Sequence, residues 1–259
     1  MSLVKAKKHL GQHFLTDKNI AEKIVNSLHS TDKYDQVLEV GPGMGVLSDF
    51  LLRKTELEIF MIDIDTESFQ YLNKKYPNLG ERLINADFLQ LNFKEIFPGK
   101  LALIGNFPYN ISSQILFKVL ENRDQVVELV GMFQKEVAQR CAEKPGSKEY
   151  GILSVFLQAY YKVEYLFSVK PGVFNPPPKV NSAVIRLTRN EVSKLDCDEK
   201  LFWQVVKAGF NQRRKTLRNA LSSIFNKESM GDDPMLDLRA ERLSVDDFVK
   251  LTNLISSTR

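Results

Sequence analysis

The amino-acid sequence predicts an α/β fold in which helices cover a mostly parallel sheet, followed by a small helical domain. The first observation is that apolar runs rich in Val, Ile, Leu and Phe alternate with amphipathic stretches. Strands buried on both faces become continuous apolar runs, so this alternation favours a sheet between two helical layers. The second observation is that the strand signals stop near residue 190. We therefore expect an α/β domain over residues 1–190 and a helical domain over residues 191–259.

The predicted strands follow one another in chain order. The runs that predict parallel strands are QVLEV from residue 36, EIFMI from 58, RLIN from 82, KLALIG from 100 and VVELVGMF from 126. Two later runs, VEYLFSV from 163 and VNSAVIRL from 180, have no room for a helix between them. Strands joined without a crossover helix pair antiparallel, and the proline-rich loop PGVFNPPPK suits such a connection. The sheet should therefore close with an antiparallel pair.

The last part of the chain carries helical patterns instead of strand signals. They cover residues 200–210, 215–225, 235–242 and 244–256. Ser244 precedes two acidic residues in the sequence SVDD, so it is the predicted N-cap of the last helix. These patterns predict a second domain built from helices alone.

The composition is that of an ordinary globular protein, with 43% apolar and 26% charged residues in a chain of 259. The two cysteines, Cys141 and Cys197, form no CxxC motif and accompany only three histidines. Neither a disulfide framework nor a Cys/His zinc site is indicated, so we expect no metal and a reducing, cytoplasmic setting. No apolar run approaches the roughly 20 residues of a membrane span. We expect a monomer that binds no membrane.

Positive charge is concentrated in one stretch of a chain whose net charge is +4. Residues 201–226 contain no Asp or Glu. The cations of this stretch that lie close together are Lys207, Arg213, Arg214, Lys215 and Arg218. Cations clustered in this way suit a surface that binds phosphates. The other interpretation is a solvated helix face, although such faces usually mix both signs.

The segment LEVGPGMGVLS, residues 38–48, predicts a strand, a glycine-rich turn and a helix. Gly41 and Gly43 would let the backbone turn sharply and approach a ligand without Cβ collisions. The pattern is GxGxG, with Val46 where a dinucleotide fingerprint would have its third glycine. We therefore predict a nucleotide-like ligand, and the spacing argues against a dinucleotide.

Three acidic residues stand at the ends of successive predicted strands, namely Glu39, Asp63 and Asp87. Asp63 follows the glycine turn by about 20 residues, where an acid can accept hydrogen bonds from both hydroxyls of a ribose. NAD and S-adenosylmethionine would satisfy Asp63 equally well. Asp87 could accept a hydrogen bond from an adenine amino group. For Asp63 or Asp87 taken singly, the competing interpretation is a helix N-cap.

The segment GNFPYNISS, residues 105–113, begins where the fourth predicted strand ends, at the edge where open α/β sheets bind ligands. It resembles the motif of amino-methyltransferases, in which Asn or Asp is followed by proline or other apolar residues and then an aromatic. Five blocks together resemble the KsgA/Dim family of small-subunit rRNA adenine dimethylases. They are KKHLGQHFL from residue 7, EVGPGMG from 39, GNFPYNIS from 105, NPPPKVNSAVIRL from 175 and NQRRKTLRN from 211.

This resemblance implies a Rossmann-like class I methyltransferase with a seven-stranded sheet that uses S-adenosylmethionine and releases S-adenosylhomocysteine. The implied substrate is a pair of adjacent adenosines in the 3′-terminal hairpin loop of 16S rRNA, each dimethylated at N6. The implied partner is the assembling 30S subunit, with a role in small-subunit biogenesis. Residues 1–190 would then carry catalysis and cofactor binding, and residues 191–259 would bind rRNA.

The acceptor chemistry explains the residue types of GNFPY. The lone pair of adenine N6 is delocalised into the ring, so the amine must be aimed at the sulfonium methyl. If the Asn106 side-chain oxygen and the Pro108 carbonyl each accept an N–H, they hold that lone pair toward the methyl. No strong general base is required. Tyr109 would stack on the target base, and the resemblance implies that Phe174 covers the other face.

The resemblance also implies which residues contact the ligands. Those expected at the cofactor are His13, Leu15, Glu39, Gly41, Gly43, Asp63, Ile64, Asp87, Phe88 and Asn106. Those expected at RNA phosphates are Lys5, Lys7, Lys8, Arg213, Arg214, Lys215 and Arg218. His13 stands where the family usually has Asn and is assigned to closing over the methionine end of the cofactor. Phe107 replaces a common Leu and should only reshape the pocket wall.

Three other functions stay open on the sequence. The Erm methylases share the fold and chemistry but modify large-subunit rRNA, and the blocks from residues 175 and 211 argue against them. An NAD-linked oxidoreductase would need the third glycine and a hydride-transfer arrangement that is not evident. A non-catalytic assembly or transcription factor could keep the fold as a nucleic-acid-binding module, but the intact Asn106 and Tyr109 favour activity.

Overall fold

The computed structural model describes residues 4–222, 224–225 and 232–257. The chain forms two compact units. The sheet unit consists of Met1–Ala138 and Lys162–Arg189, and the helical unit consists of Gln139–Tyr161 and Asn190–Arg259.

Seven of the nine strands among the described residues confirm the runs predicted from the sequence. The nine strands are β1 (Phe14–Leu15), β2 (Gln36–Val40), β3 (Glu58–Asp63), β4 (Leu83–Asn85), β5 (Leu101–Asn106), β6 (Val126–Gln134), β7 (Tyr161–Val169), β8 (Phe174–Asn175) and β9 (Ser182–Arg189). Seven of them form one sheet in the order β4-β3-β2-β5-β6-β9-β7. β2 to β6 pair in parallel with their neighbours, whereas β9 runs antiparallel to β6 and β7 is the edge strand beside it. The sheet is therefore the mostly parallel, seven-stranded type that was predicted.

The helices lie between and after these strands. They are α1 (Lys18–Val25), α2 (Ser48–Leu51), α3 (Thr66–Lys75), α4 (Phe93–Ile96), α5 (Ser112–Glu121), α6 (Lys135–Ala142), α7 (Ile152–Tyr160), α8 (Glu199–Asn211), α9 (Leu217–Leu221) and α10 (Val245–Ser257). None of the helices among the described residues is both long enough and apolar enough to cross a membrane.

The core of the sheet unit explains why its strands read as apolar runs. Leu38, Leu103 and Leu129, on three neighbouring strands, have no exposed surface. β1 and β8 form a separate antiparallel pair, with Leu15 opposite Phe174. Because β2 to β5 are parallel, their carboxyl ends meet at one edge of the sheet, and the site residues lie there.

The helical unit includes a segment that the sequence placed in the first domain. Contacts group Gln139–Tyr161 with the C-terminal helices rather than with the sheet. Its helix α7 is almost wholly apolar, and Phe156 stacks on Trp203 of α8 with the ring centroids 3.8 Å apart. The Tyr160 hydroxyl donates to the Glu199 carboxylate over 2.8 Å. A helix this apolar is buried against other helices, which a boundary drawn from strand signals does not detect.

Two predicted helices of the C-terminal region differ from the structure. The prediction of a helix over residues 235–242 is wrong. This region instead forms two 3-10 turns, Pro234–Asp237 and Ala240–Arg242. Leu238 between them is extended, and its carbonyl accepts the Leu217 amide over 2.8 Å. The helix expected over 215–225 is confirmed only as α9, and residue 223 lies outside the described residues. The predicted N-cap Ser244 is confirmed, because its hydroxyl accepts the Asp247 amide over 3.2 Å.

Candidate active site

The glycine-rich turn after β2 is in the left-handed conformation that favours glycine. The φ angles are 68° at Gly41, 57° at Gly43 and 79° at Gly45. A Cβ at Gly43 would lie 2.7 Å from a carbon of the Phe14 ring, whereas a Cβ at Gly41 would meet nothing within 4 Å. Gly41 and Gly43 both line a cavity of about 190 Å³. The turn therefore leaves open space at Gly41 where a ligand can approach the backbone.

Two side chains at the C-terminal end of α3 bind carbonyls of this turn, which the sequence did not reveal. The Lys75 ammonium donates to the Met44 carbonyl over 3.2 Å, and the Tyr76 hydroxyl donates to the Gly45 carbonyl over 3.1 Å. The same hydroxyl lies 2.6 Å from Asp49. These contacts join residues about 30 positions apart, so no local pattern could have indicated them. They fix the carbonyls of Met44 and Gly45 in the turn.

Asp63 lies at the end of β3 and lines the cavity. Its two carboxylate oxygens accept the amides of Gly43 and Asp65, over 3.1 and 2.9 Å. Burial raises the pKa of Asp63 to about 6, and the hydrogen bonds from the two backbone amides oppose that rise. Each carboxylate oxygen keeps a further lone pair, so Asp63 can still accept hydroxyl donors from a ligand.

Glu39 lies deeper than Asp63 and is 1% exposed. The Ser48 hydroxyl donates to it over 2.6 Å. Burial raises the pKa of Glu39 to about 8, although the Ser48 hydrogen bond opposes the rise. With Leu15 and Asn106 it lines a second, smaller cavity of about 20 Å³ beside the glycine turn. Burial therefore favours the protonated form of the Glu39 carboxyl group.

The third acidic residue, Asp87, serves the helix-capping role that was its alternative interpretation. One of its oxygens accepts the Leu89 amide over 2.9 Å at the start of a 3-10 turn, Phe88–Gln90. Asp87 and Phe88 nevertheless line the larger cavity, together with Ile64, which is 54% exposed. Capping and ligand binding are compatible here, because capping uses only one of the two oxygens.

Asn106 is the last residue of β5, and its amide orientation is fixed. Its Nδ2 donates to the backbone carbonyl of His13 over 2.8 Å. Because the nitrogen is committed to that carbonyl, the side-chain oxygen is left available as an acceptor. The Pro108 carbonyl accepts longer hydrogen bonds, from the Ile111 amide over 3.3 Å and the Ser112 hydroxyl over 3.4 Å. Asn106 and Pro108, the two residues predicted to supply acceptors for an amine, both line the cavity.

Tyr109 is held in place from two sides. Its hydroxyl forms a short hydrogen bond with the Ser182 hydroxyl, and its ring is stacked with the His13 ring at a centroid distance of 5.4 Å. His13 is in turn fixed by its Nδ1, 2.8 Å from the Pro176 carbonyl. Burial raises the pKa of Tyr109, so the hydroxyl stays protonated at neutral pH. Both rings line the larger cavity.

The structure does not bring Phe174 to the cavity. Its side chain is 4% exposed and belongs to the apolar core of the sheet unit. Phe107 is also fully packed, stacked on Phe133 at 4.9 Å. A Cβ at Gly131 would lie 2.3 Å from the Phe107 ring, so Gly131 provides the space that this ring occupies. Phe107 forms part of the cavity wall, as expected.

The predicted RNA-contacting cations fall into two groups. In the helical unit, Arg213 donates to the carbonyls of residues 147 and 148, and Arg218 pairs with Asp237 at 3.2 Å, whereas Arg214 and Lys215 are exposed. In the sheet unit, the Lys7 ammonium is paired with the buried Asp65, whereas Lys5 and Lys8 are exposed. A cation already engaged by protein acceptors is less available for a phosphate.

The fold and the site together define a class I methyltransferase. It has the seven-stranded sheet with an antiparallel strand, the glycine turn after β2, an acid at the end of β3 and an Asn-x-Pro-Tyr segment after β5. The family model for ribosomal RNA adenine dimethylase matches residues 3–256, and the chain belongs to that family. This membership favours methyl transfer over the NAD-linked alternative.

Relatives and solved structures agree with this assignment. Ribosomal RNA small subunit methyltransferase A of Cytophaga hutchinsonii is 57% identical over 256 residues, which cover 99% of each chain. The protein of the same name from Bacteroides thetaiotaomicron is 55% identical, covering 98% of this chain and 96% of its own. A dimethyladenosine transferase from Plasmodium falciparum superimposes with a TM-score of 0.78 at 27% identity, covering 95% and 98% of the two chains. The 23S rRNA methyltransferase ErmE, at 22% identity and a TM-score of 0.66 over 93% and 99%, shares the fold.

Proposed function

We propose that this protein transfers methyl groups from S-adenosylmethionine to N6 of two adjacent adenosines in the 3′-terminal hairpin loop of 16S rRNA. The observation that carries the proposal is the fixed orientation of the Asn106 side-chain amide. Its nitrogen donates a hydrogen bond to the His13 carbonyl, and the residue lines the cavity. The full-length relatives named ribosomal RNA small subunit methyltransferase A support the substrate.

The residues of the cavity fit S-adenosylmethionine. Asp63 would accept the ribose hydroxyls, Asp87 the adenine amine, and Ile64 and Phe88 would pack against the adenine ring. The open side of Gly41 leaves room for the cofactor to lie against the backbone. Leu15 and Glu39, in the smaller adjoining cavity, would contact the methionine portion. When bound, the cofactor supplies an electrophilic sulfonium methyl group.

Asn106 and Pro108 would prepare the acceptor amine. Each offers an oxygen to one N–H of adenine N6, which aims the nitrogen lone pair at the methyl and stabilises positive charge that develops on nitrogen. Tyr109 would stack on the extruded base, which contributes about 1–3 kcal/mol. For the second methylation a single N–H remains, so one of the two oxygens must hold the amine alone. The proposed cover by Phe174 would require its side chain to leave the core.

We further propose that the protein acts as a cytoplasmic monomer on the assembling 30S subunit. The exposed Arg214 and Lys215 would bind phosphates and give affinity and register, while RNA shape and the extruded base give specificity. Contact between residues 191–259 and rRNA is part of this proposal.

The proposal is tested by incubating the protein with unmethylated small subunits and labelled S-adenosylmethionine, followed by nucleoside mass analysis. We expect N6,N6-dimethyladenosine, mapped by primer-extension stops to the two adjacent adenosines of the hairpin loop. Stops on the large-subunit RNA alone would assign the protein to the Erm-type reaction. Binding of NADH without binding of S-adenosylmethionine would contradict the methyltransferase proposal as a whole.

A further inference from the structure

The segment that precedes α1 forms one wall of the candidate cofactor cavity. We call residues 7–14 the N-terminal strap. Five consecutive residues of the strap, 10–14, line the cavity. Its C-terminal end is fixed by the His13 carbonyl, which accepts from Asn106, and by the pairing of β1 with β8. The position of the strap therefore decides the shape of the pocket.

The N-terminal end of the strap is fixed by hydrogen bonds among three residues. The Lys7 ammonium donates to one oxygen of Asp65 over 2.5 Å, and the Gln12 amide donates to the other over 3.2 Å. The Gln12 oxygen accepts the backbone amide of Lys7 over 2.8 Å. Each of the three residues thus contacts the other two. We call this arrangement the Lys7–Gln12–Asp65 latch.

The location of Asp65 makes the latch more than a surface ion pair. Asp65 is 2% exposed, and its own amide donates to Asp63 over 2.9 Å. The residue that anchors the strap therefore also orients the acid at the end of β3. Exposed ion pairs contribute little, but hydrogen bonds to a buried carboxylate are stronger and hold a fixed geometry.

We propose that the Lys7–Gln12–Asp65 latch positions the strap over the cofactor, so that Lys7 serves cofactor binding rather than contact with RNA phosphates. This inference rests on the proposed function, because it assumes that the cavity binds S-adenosylmethionine. Lys7 and Asp65 are positioning residues that act through the strap. If the strap is docked in only a fraction of the molecules, the apparent affinity for the cofactor is the intrinsic affinity multiplied by that fraction.

The test compares Lys7→Met with Lys8→Met, which remove the same charge from neighbouring positions. Binding of S-adenosylhomocysteine is measured by calorimetry without RNA. We expect Lys7→Met to weaken binding about tenfold. Lys8→Met should leave binding unchanged, because Lys8 is exposed. Lys7→Arg, which keeps a cation for Asp65, should restore most of the affinity. Equal affinity in Lys7→Met and the wild type would overturn the latch, whereas a wild type that binds no S-adenosylhomocysteine would contradict the proposed function instead.

Hydrogen exchange separates a local role from a general one. In Lys7→Met, amides of residues 7–14 should exchange faster while those of β2 and β5 keep their rates. Asp65→Asn is the second variant, because it removes the charge but keeps an oxygen for capping α3, where Asp65 accepts the Glu67 amide over 3.1 Å. It should give the same loss of affinity and the same local exchange. Faster exchange throughout the sheet unit in both variants would make the latch a stability element and contradict the proposal.

Discussion

The predicted functional residues are arranged differently in the two units. In the sheet unit, Asp63, Asp87 and Asn106 are far apart in the sequence, yet all three line one cavity. In the helical unit, neighbours in the sequence separate: Arg213 is engaged by backbone carbonyls, whereas Arg214 beside it is exposed. Residues far apart in the sequence thus share a site in the sheet unit, whereas neighbouring residues have different environments in the helical unit. Separation in the sequence therefore does not indicate which residues act together in either unit.

The difference has a topological cause. Parallel strands deliver their last residues to the same edge of the sheet, so any polar residue at a strand end is brought to the site. A cation in a turn has no such constraint, and its partners depend on which carbonyl or acid the neighbouring loops present. Burial adds to the contrast, because Glu39 and Asp63 have raised pKa values whereas exposed cations are screened by solvent. The sheet unit should therefore respond sharply to single substitutions and the cationic surface only gradually.

The largest effect is expected at Asn106. Asn106→Ala removes an acceptor that would stabilise charge on the reacting amine, so methyl transfer should fall about 10²- to 10³-fold, equivalent to about 3–4 kcal/mol. Binding of rRNA should remain within a few-fold of wild type, whereas binding of S-adenosylhomocysteine should also weaken, because Asn106 holds the His13 carbonyl of the strap. Single-turnover transfer, calorimetry and filter binding measure the three quantities.

Asn106→Asp is the matched variant for this prediction. It keeps an acceptor oxygen but loses the donor to the His13 carbonyl, so its rate should lie between those of Asn106→Ala and the wild type. Wild-type turnover in Asn106→Ala would show that the amide does not hold the amine. If Asn106→Asp turned over as slowly as Asn106→Ala, the acceptor oxygen alone would not be sufficient. The orientation of the amide by the His13 carbonyl would then be essential as well.

The second prediction uses the buried Glu39. Its pKa is raised from 4.5 to about 8 by burial, so it contributes stability below about pH 4.5 that is lost as the pH rises through 8. Glu39→Gln keeps an oxygen for the Ser48 hydroxyl and cannot ionise. At pH 9 it should therefore be more stable than the wild type by on the order of 5 kcal/mol, because each of the roughly 3.5 pH units between the two pKa values contributes about 1.4 kcal/mol. At pH 4, below both pKa values, the two should be nearly equal, as measured by urea unfolding.

Glu121→Gln is the control for Glu39, because Glu121 is exposed at the end of α5. It should leave the pH dependence of unfolding unchanged. A Glu39→Gln protein that loses stability with rising pH as steeply as the wild type would place the responsible proton elsewhere. Asp63, whose raised pKa is about 6, is the other candidate for the lower part of this range.

The third prediction separates backbone strain from a local clash. Gly43→Ala and Gly80→Ala both place a Cβ on a left-handed backbone, with φ of 57° and 55°. Only the Cβ at Gly43 meets a neighbour, at 2.7 Å from the Phe14 ring. Both variants should lose about 1 kcal/mol of stability, and Gly43→Ala should lose about 1 kcal/mol more. Thermal unfolding measures these losses.

Cofactor affinity distinguishes the two glycines further. Displacing Phe14 would move the strap, so Gly43→Ala should also bind S-adenosylhomocysteine more weakly, whereas Gly80→Ala should bind it normally. Equal losses of affinity in the two variants would mean that general instability, rather than the shape of the turn, controls binding.

The sequence predicted the sheet well because its signals are local. Apolar runs mark buried strands directly, and β2, β3 and β5 begin and end within a residue or two of the predicted runs. The region around residues 235–242 failed because its conformation depends on a distant contact: Leu238 is extended and its carbonyl accepts the Leu217 amide. Helical periodicity in the sequence carries no information about such a bond.

For the site, the sequence identified the residues at strand ends but not what orients them. Asn106 and Tyr109 were found from their motif, whereas the His13 carbonyl and the Ser182 hydroxyl that hold them lie about 90 and 70 positions away. The resemblance to the dimethylase family implied that Lys7 contacts RNA phosphates. Its pairing with Asp65 depends on a tertiary contact, and the N-cap pattern of α3 gave no indication of it.

The smallest effects are expected on the cationic surface of the helical unit. Replacing Arg214 and Lys215 with Ala should weaken rRNA binding several-fold and lower the slope of log affinity against log salt by about 1.4–1.8, because each phosphate contact contributes about 0.7–0.9. Adding Arg213→Ala to this pair should lower the slope little further, since that guanidinium is bound to carbonyls.

Arg213→Ala with Arg218→Ala is the matched pair, because it removes the same charge from positions engaged by protein acceptors. It should reduce the free energy of unfolding more than it reduces the salt slope. If this pair flattens the salt dependence as much as the Arg214 and Lys215 pair does, the intramolecular contacts must break on binding. An unchanged slope with Arg213, Arg214 and Lys215 all replaced would move the RNA surface away from this turn. In that case clustering of cations in the sequence would be evidence of a solvated face, and the exposed cations of the sheet unit would be the next to test.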